Sequence, residues 1–326
     1  MITRFISYFS AIIVCQFVFV ILLAPTWTFL VSTILFLSLL LVEIMPLTKY
    51  ATFKSLFHQK QLYDPSIYLE SAKRVQEALL SIDPPETERI KIVRRCVPAS
   101  TLGGDFYTFV NKSMRKLDEK TKTKGIVELV DNKEDLIGVT IGDVAGHGVS
   151  SALVMALASG LLGRIGLNNR SPAVILQRAN LDIQKFISHS QISHVTAFYS
   201  TINLDQMTLT FAGAGHPAAV LLRKDLTYHL LEANGIFLGM YPDEVYEEKT
   251  ISLTPGDRLL LFTDGIIETS NAYNEAFGTK RLVDLAIMHS DREPDDLVEI
   301  VFEQLYKFRE GEIQRDDQTL VVVDIK

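Results

Sequence analysis

The stretch GVTIGDVAGHG at residues 138–148 decides the fold, because it joins a strand, an acidic turn and the start of a helix. Apolar and β-branched residues lead up to Asp143, and helical spacing begins near Val149. The glycines between them let the backbone turn tightly. We therefore expect the Asp143 carboxylate and the Val144 carbonyl to lie beside a helix N-terminus. The two oxygens suit a cation, whereas the helix N-terminus suits an anion such as phosphate.

Three further acidic turns stand next to apolar, strand-like runs elsewhere in the chain. They are Gly103-Gly104-Asp105, Thr263-Asp264-Gly265 and Asp316-Asp317. A single Asp-Gly pair is typical of an ordinary turn. Clustered carboxylates are costly without a neutralising cation, and most of these have no adjacent Lys or Arg. The acidic strand ends together therefore predict one centre that binds hard divalent cations.

Paired Mg²⁺ or Mn²⁺ ions at such a centre would activate a water molecule for attack on phosphorus. This chemistry needs no serine or cysteine nucleophile, and the sequence has neither a Gly-x-Ser-x-Gly elbow nor a Cys-x₅-Arg motif. The sequence also lacks a Walker-type glycine loop, which argues against nucleotide binding.

Around these turns, the chain from Ile90 onward is largely β-patterned, with helical insertions. The strand-like runs are Ile90–Val97, Phe106–Val110, Leu136–Ile141, Val195–Leu204, Met207–Ala212, Ala218–Leu222, Arg258–Phe262 and Thr319–Ile325. Helical spacing covers Gly148–Leu162, Ala173–Ile187 and Leu297–Tyr306, with a further helix around Ala286. Strands interleaved with helix pairs predict an α+β layered fold.

Five motifs follow one another along this region: PASTLGGDFYTF (98–109), GDVAGHGVSSALVMA (142–156), AGAGHPAAVLLR (212–223), LLLFTDGIIET (259–269) and RDDQTLVVV (315–323). Together with the helix AKRVQEALL (72–80), they resemble the SpoIIE/RsbU-like branch of PPM-type phosphatases over residues from about 70 to 326. The resemblance implies two antiparallel β-sheets packed as a sandwich flanked by helices. It also implies a dinuclear Mn²⁺ or Mg²⁺ site and hydrolysis of phosphoserine or phosphothreonine in proteins.

The resemblance implies these metal ligands: Asp105, Asp143, Val144 through its carbonyl, Asp264 and Asp316. Asp143 is expected to bridge both ions, and Asp143 with Asp264 form the expected catalytic pair. Asp317 replaces Asp316 if the register of that pair differs by one residue. His147 and His216 are interpreted as turn residues, not as catalytic groups.

Two features depart from the family pattern. Thr108 stands where the family often has a second acid, which puts a contact behind the metal site in question. Residues 111–135 form a charged stretch that is longer than the family's usual connection. We interpret it as a solvated hairpin extension, and a flap that contacts the substrate is the alternative.

Two uncharged apolar runs, residues 5–24 and 27–42, predict a transmembrane helical hairpin over residues 1–46. A helix needs about 20 residues to cross a bilayer. Basic residues flank both outer ends, so the positive-inside rule places those ends and the following domain in the cytoplasm. A cleaved signal peptide is the alternative for the first run, but the second run and the lack of an Ala-x-Ala site argue against it.

Residues 47–82 are predicted to form a helical linker, and the catalytic domain is predicted to occupy residues 83–326. Asp83-Pro84-Pro85 ends the linker helix. Apolar residues in its second half recur every three or four positions. This stripe suits packing on the chain's own domain and also suits pairing with a second copy in a homodimer, and both interpretations stay open.

Composition excludes several other classes. The net charge of −7 gives no indication of a general nucleic-acid-binding surface. The two cysteines, Cys15 and Cys96, have no CxxC partner and are interpreted as buried apolar residues, which argues against a disulfide framework and a zinc site.

The sequence as a whole predicts a membrane-anchored, metal-dependent protein serine/threonine phosphatase that faces the cytoplasm. The resemblance implies a phosphoprotein substrate, such as an anti-sigma-factor antagonist. The alternatives are a non-catalytic module that binds a phosphoprotein at the membrane and a hydrolase of small phosphate esters. Retention of every expected metal-ligating acid argues against the non-catalytic module, whereas Thr108 in place of a family acid argues for it.

Overall fold

A computed structural model describes residues 65–85, 87–111, 135–168, 171–188 and 192–326. The chain divides into two compact units, residues 1–67 and residues 68–326, and nearly all described residues belong to the second unit. The predicted transmembrane hairpin (1–46), the first part of the linker and most of the charged stretch (111–135) lie outside the described residues. They stay predictions.

The strands of the second unit form two antiparallel sheets. The strands described are β1 (Ile90–Val97), β2 (Phe106–Asn111), β3 (Leu136–Val144), β4 (Val195–Asn203), β5 (Thr208–Ala214), β6 (Ala219–Leu222), β7 (Tyr228–Leu231), β8 (Lys249–Ser252), β9 (Arg258–Phe262) and β10 (Gln318–Ile325). The first sheet has the order β1-β10-β9-β6-β7 and the second has the order β2-β3-β4-β5-β8.

Helices cover the outer faces of both sheets. Those described are α1 (Pro65–Leu80), α2 (Val149–Leu167), α3 (Pro172–Ile187), α4 (Asp264–Ile267), α5 (Gly278–Met288) and α6 (Pro294–Arg309). Helices α2 and α3 pack on the second sheet, and α5 and α6 pack on the first sheet. At the start of α3, the Ser171 hydroxyl caps the helix by accepting a hydrogen bond from the Val174 N–H group.

Three apolar clusters hold the layers together. Between the sheets, Ile137, Val139 and Ile141 of β3 share one cluster with Leu259 and Leu261 of β9. Val144 of β3 and Leu260 of β9 point to the opposite faces of their sheets and pack under the helices. Because both faces of the central strands are covered, β3, β9 and β10 are buried along almost their whole length.

This arrangement confirms the predicted α+β class with two antiparallel sheets flanked by helices. Three elements were not predicted: β7, β8 and α4. Strands β7 and β8 are four-residue edge strands whose side chains are mostly exposed, so no alternating apolar pattern marks them. Strand β3 continues to Val144, beyond the predicted end at Ile141.

Strand register brings two of the acidic turns together in the second sheet. Strands β2 and β3 pair with Phe106 opposite Gly142. Asp105 precedes β2 and Asp143 lies near the end of β3, so the two acids lie at the same end of this sheet.

Strand register in the first sheet likewise brings Asp264 and Asp316 to one end of that sheet. Strands β9 and β10 pair with Phe262 opposite Leu320. Asp264 follows β9 and Asp316 precedes β10, so these two acids also lie at one end of their sheet.

Helix α2 is the single helix of the described residues that is long and apolar enough to cross a bilayer by length and composition. Its side chains Met155, Ala158 and Leu162 are fully buried in the cluster under the second sheet. The buried face of α2 therefore belongs to the core of this unit.

Candidate metal centre

Asp105 links the two sheets at the candidate metal centre. Its Oδ2 atom accepts hydrogen bonds from Thr263 Oγ1 at 2.8 Å and from Thr319 Oγ1 at 2.6 Å. Its Oδ1 atom is buried and has no hydrogen-bond partner among the described residues. A buried oxygen of this kind is costly unless a cation or a donor meets it. The two threonine hydroxyls thus orient Asp105 and leave Oδ1 available as a ligand.

The backbone before Asp105 passes close to the end of β3. A Cβ atom at Gly104 would lie 2.7 Å from the Val144 carbonyl oxygen and 3.0 Å from Asp143 Oδ1. Those two oxygens therefore face one small region, which glycine leaves open. The structure brings the predicted ligands Asp143 and Val144 together beside the Asp105 loop.

Asp317 holds that loop in place. Its Oδ1 atom accepts a hydrogen bond from the Ala99 N–H group at 2.7 Å, and its Oδ2 atom accepts one from Gly104 at 2.6 Å. The side chain is buried, so both of its oxygens are used inside the protein. This structural role was missed in the sequence, because two adjacent acids carry no signal of which one is buried.

Asp264 and Asp316 approach each other where β9 ends and β10 begins. Asp264 is the first residue of α4. A Cβ atom at Gly265 would collide with the Asp317 carbonyl oxygen and would lie 3.4 Å from Asp316 Cβ. The close approach of these two chain segments therefore requires glycine. Asp316 Oδ1 accepts a hydrogen bond from the Asp317 N–H group at 2.8 Å, and its side chain is exposed.

Burial and mutual repulsion raise the pKa of all the acids that face this region. Burial raises the pKa of Asp143 to about 7, and the nearby Asp264 and Asp316 carboxylates add to that rise. Burial and then Asp143 raise the pKa of Asp105 well above its usual range. Burial also raises the pKa of the half-buried Asp264. The pKa of Asp316 is raised as well, because the surrounding protein removes water from the inner side of its carboxylate, although the residue as a whole is exposed, and because Asp264 and Asp317 repel its charge. Carboxyl groups that repel one another in this way share one electrostatic environment.

The donor set fits Mg²⁺ or Mn²⁺. Carboxylate and carbonyl oxygens are the ligands that these hard ions prefer. Among the described residues, no three His, Cys, Asp or Glu side chains surround one point closely enough to form a complete ligand shell. Mg²⁺, however, usually takes only one or two carboxylates and keeps several waters. Asp105 Oδ1 and the Val144 carbonyl supply further donors, while the assignment of each ligand to an ion stays a prediction.

A hydrogen-bonded pair behind Asp143 was not predicted as part of the site. The Asp143 N–H group donates to Thr196 Oγ1 at 3.1 Å, and Thr196 Oγ1 lies 2.8 Å from His216 Nδ1. Burial lowers the pKa of His216 to about 3, so the imidazole is neutral. His216 is therefore connected to Asp143 only indirectly, through the Thr196 hydroxyl and the Asp143 backbone N–H group.

Helix α1 contacts the loop that carries Asp105. The Gln76 side-chain amide donates to the Gly103 carbonyl at 2.7 Å and accepts from the Gly103 N–H group at 3.0 Å. The Tyr107 hydroxyl donates to the Leu80 carbonyl at the end of the same helix. The helix is therefore hydrogen-bonded to both sides of Asp105.

Thr108, which departs from the family pattern, is buried on β2. Its hydroxyl lies 3.3 Å from the place that a Cβ atom at Gly163 of α2 would occupy. The small Thr108 side chain thus packs against Gly163 of α2.

The comparison with known proteins gives one family model and several curated relatives. The model described as Stage II sporulation protein E (SpoIIE) matches residues 133–326. "Phosphoserine phosphatase RsbU" of Bacillus subtilis is 30% identical over 258 residues, which cover 78% of this chain and 69% of that protein. "Phosphoserine phosphatase RsbP" of the same organism is 28% identical over 261 residues, which cover 79% of this chain and 58% of that protein.

Solved structures share the fold. The SiaA-PP2C domain of Pseudomonas aeruginosa matches with a TM-score of 0.62 and 23% identity, covering 82% of this chain and 99% of that chain. The RsbU and RsbW domains of Rv1364c from Mycobacterium tuberculosis match with a TM-score of 0.57 and 23% identity, covering 73% of this chain and 60% of that chain. These likenesses concern the arrangement of sheets and helices.

Proposed function

Since the chain belongs to the RsbU-like branch of the SpoIIE family of PPM-type protein phosphatases, we propose that it dephosphorylates serine or threonine in a regulatory phosphoprotein. The observation that carries the proposal is the group of acids at one end of the sandwich. Within that group, Asp105 Oδ1 is buried without a partner in the described residues. A centre of this kind needs cations, and cations are what phosphoryl hydrolysis without a protein nucleophile requires.

Each acid has a proposed part in this reaction. Asp143 and Asp264 would hold a pair of divalent ions, with Asp105, Asp316 and the Val144 carbonyl as the further ligands. Bound Mg²⁺ or Mn²⁺ lowers the pKa of a water molecule and orients it toward phosphorus. The protein holds these ligands in place through the backbone and side-chain hydrogen bonds described above.

The proposed substrate is a phosphorylated regulatory protein, such as an anti-sigma-factor antagonist. Two curated relatives carry the name phosphoserine phosphatase, which supports hydrolysis over a purely binding role. A phosphoprotein reaches the centre at the end of the sandwich, where Asp264 is half-buried and Asp316 is exposed.

The proposed location is the cytoplasmic membrane, with residues 1–46 as a two-helix anchor and the catalytic domain in the cytoplasm. We also propose that the 47–82 helix pairs two copies of the chain. Val75 and Leu79 of α1 are 63% and 38% exposed in the described part of the chain. Apolar side chains left open on one helix face favour pairing with a second helix.

The test is turnover of p-nitrophenyl phosphate by the full-length chain in detergent with Mn²⁺. We expect Asp143→Asn to lower kcat/KM by on the order of 100-fold, since it removes a charged ligand. Asp291→Asn, an exposed acid distant in sequence from the motifs, is the matched control and should retain full activity. An Asp143→Asn protein as active as the wild type would contradict the proposal.

A further inference from the structure

A small cleft opens beside the metal centre, between α4, the end of α6 and the start of β10. Its volume is about 240 Å³. Gly265 and Asp316 form the wall that it shares with the centre, and Arg309 and Arg315 also line it. We call this feature the arginine cleft.

The base of the arginine cleft is held by buried hydrogen bonds. The Thr269 hydroxyl donates to the Gly265 carbonyl at 2.6 Å, and the Gln318 side-chain amide donates to Thr269 Oγ1 at 2.7 Å. At the rim, the Gln314 amide donates to the Asp316 carbonyl at 2.9 Å. The cleft therefore has a fixed shape beside Asp316.

Several arginines of the described residues are paired with an acid, and the two that line the cleft are not. Arg223 and Arg258 form ion pairs at 2.6 Å with Asp257 and Asp324. Within the described part of the chain, neither Arg309 nor Arg315 forms an ion pair.

Unpaired arginines that share one cleft favour an anion, because each guanidinium carries a permanent charge and several N–H donors. Arg315 is exposed, and Arg309 is half-buried with its guanidinium 5.8 Å from the Tyr306 ring centroid. Glu268 is the one acid besides Asp316 among the residues that line the cleft. It is exposed and makes no ion pair within the described residues.

We propose that the arginine cleft binds an acidic side chain that flanks the phosphorylated residue of the substrate protein. This inference rests on the proposed function and adds a substrate preference to it. The phosphoryl group would lie at the ions that Asp143 and Asp264 are proposed to hold. The adjoining cleft is then available to a residue next to the phosphorylated one in the substrate. The volume of the cleft, about 240 Å³, is smaller than that of a small-molecule pocket, which is about 300–1,000 Å³. The cleft therefore suits a single side chain. Arginine binds carboxylates through paired N–H···O contacts.

The experiment compares two phosphopeptides with the full-length chain and Mn²⁺. One peptide carries glutamate on both sides of the phosphoserine, and the other carries glutamine at the same positions. We expect kcat/KM to be roughly three- to tenfold higher for the acidic peptide, which is the range of one or two partly exposed charged contacts. Arg309→Gln and Arg315→Gln should each reduce this preference through KM. Both variants should hydrolyse p-nitrophenyl phosphate at the wild-type rate.

Three controls separate charge from packing. Arg178→Gln changes an exposed arginine on α3, which packs on the other sheet, and should leave the preference intact. Arg309→Lys and Arg315→Lys keep the charge and should retain part of the preference. The preference should also shrink as the salt concentration rises.

Equal kcat/KM for the two peptides, or a preference unchanged in both glutamine variants, would overturn the inference while leaving the phosphatase proposal standing. If the wild type hydrolysed neither peptide nor p-nitrophenyl phosphate, that result would instead contradict the phosphatase proposal. Fluorescence anisotropy with the labelled peptides then tests the cleft alone, and equal affinity for both peptides overturns it.

Discussion

Asp316 and Asp317 are adjacent, yet their side chains have different surroundings. Asp317 accepts hydrogen bonds from two backbone N–H groups of the 99–104 loop. Asp316 is exposed and accepts one from its neighbour. Asp316 is therefore suited to bind a metal ion, whereas Asp317 is suited to hold the loop that carries Asp105.

We predict that Asp317→Ala lowers the free energy of unfolding by about 2–4 kcal/mol, because two N–H groups lose their acceptor. Asp316→Ala should change the free energy of unfolding little, since it removes a repelling charge and one local hydrogen bond. Urea unfolding of the metal-free protein measures both variants. Equal destabilisation by the two substitutions would contradict the different roles assigned here.

Stability of the metal-free protein should depend on the protonation of Asp143. Burial raises the pKa of this carboxyl to about 7, whereas an aspartate in an unfolded chain has a pKa of about 3.9. The folded state therefore binds the proton more tightly. The resulting stabilisation is present below about pH 4 and is lost as the pH rises through about 7.

We predict that, in the presence of a chelator, the melting temperature of Asp143→Asn increases relative to that of the wild type as the pH rises from about 4 to about 7, because only the wild type loses the contribution of the protonated Asp143. Scanning calorimetry of both proteins checks the prediction. Mn²⁺ competes with the proton, so its affinity should rise over the same range. An identical pH profile for wild type and variant would show that Asp143 does not titrate there.

At the scale of elements, α1 is hydrogen-bonded to the loop before Asp105. Gln76 is buried and makes two hydrogen bonds with Gly103. The contact belongs to the compact unit that begins at Tyr68. A change in the position of α1 therefore acts directly on the backbone that carries a predicted metal ligand.

We predict that Gln76→Ala lowers the free energy of unfolding by about 1–3 kcal/mol, because the buried polar groups of Gly103 lose their partner. It should also weaken Mn²⁺ binding, since the loop carrying Asp105 becomes less ordered. Lys73→Ala, an alteration on the same helix, is the control for helix propensity. Isothermal titration calorimetry measures the Mn²⁺ affinity. Equal affinities for Gln76→Ala and Lys73→Ala would contradict a role of α1 in positioning Asp105.

The elements also differ in how well their residues predicted them. Strands β1 and β9 were predicted with their observed bounds, because their alternating or continuous apolar residues pack on both sides. Strand β7 could not be predicted, since Tyr228, His229 and Leu230 are exposed and its place depends on pairing with β6. Helix α4 has only four residues, too few for a helical period to show.

The whole molecule assembles the centre from both sheets. Asp105 precedes β2 of the second sheet, whereas its hydroxyl partner Thr263 directly follows β9 and its other partner, Thr319, lies in β10 of the first sheet. The sandwich therefore has to close before Asp105 is oriented. Loss of packing between the sheets should abolish metal binding together with the fold.

The predicted membrane anchor is tested at this same scale. We predict that the full-length chain sediments with membranes and resists extraction by salt, since its apolar runs would span the bilayer. Deletion of residues 1–46 should release the protein into the soluble fraction. A full-length chain found in the supernatant after salt extraction would contradict the anchor.

Residue types and their spacing determined the layered α+β class, the positions of most strands and the family of this chain. They did so because apolar periodicity and Asp-Gly turns are local properties of a sequence. Tertiary structure decided which acid of the Asp316-Asp317 pair is buried, that Thr263 and Thr319 orient Asp105, and that two arginines line one cleft. Those facts depend on contacts between segments up to 218 residues apart, and no local pattern records such contacts.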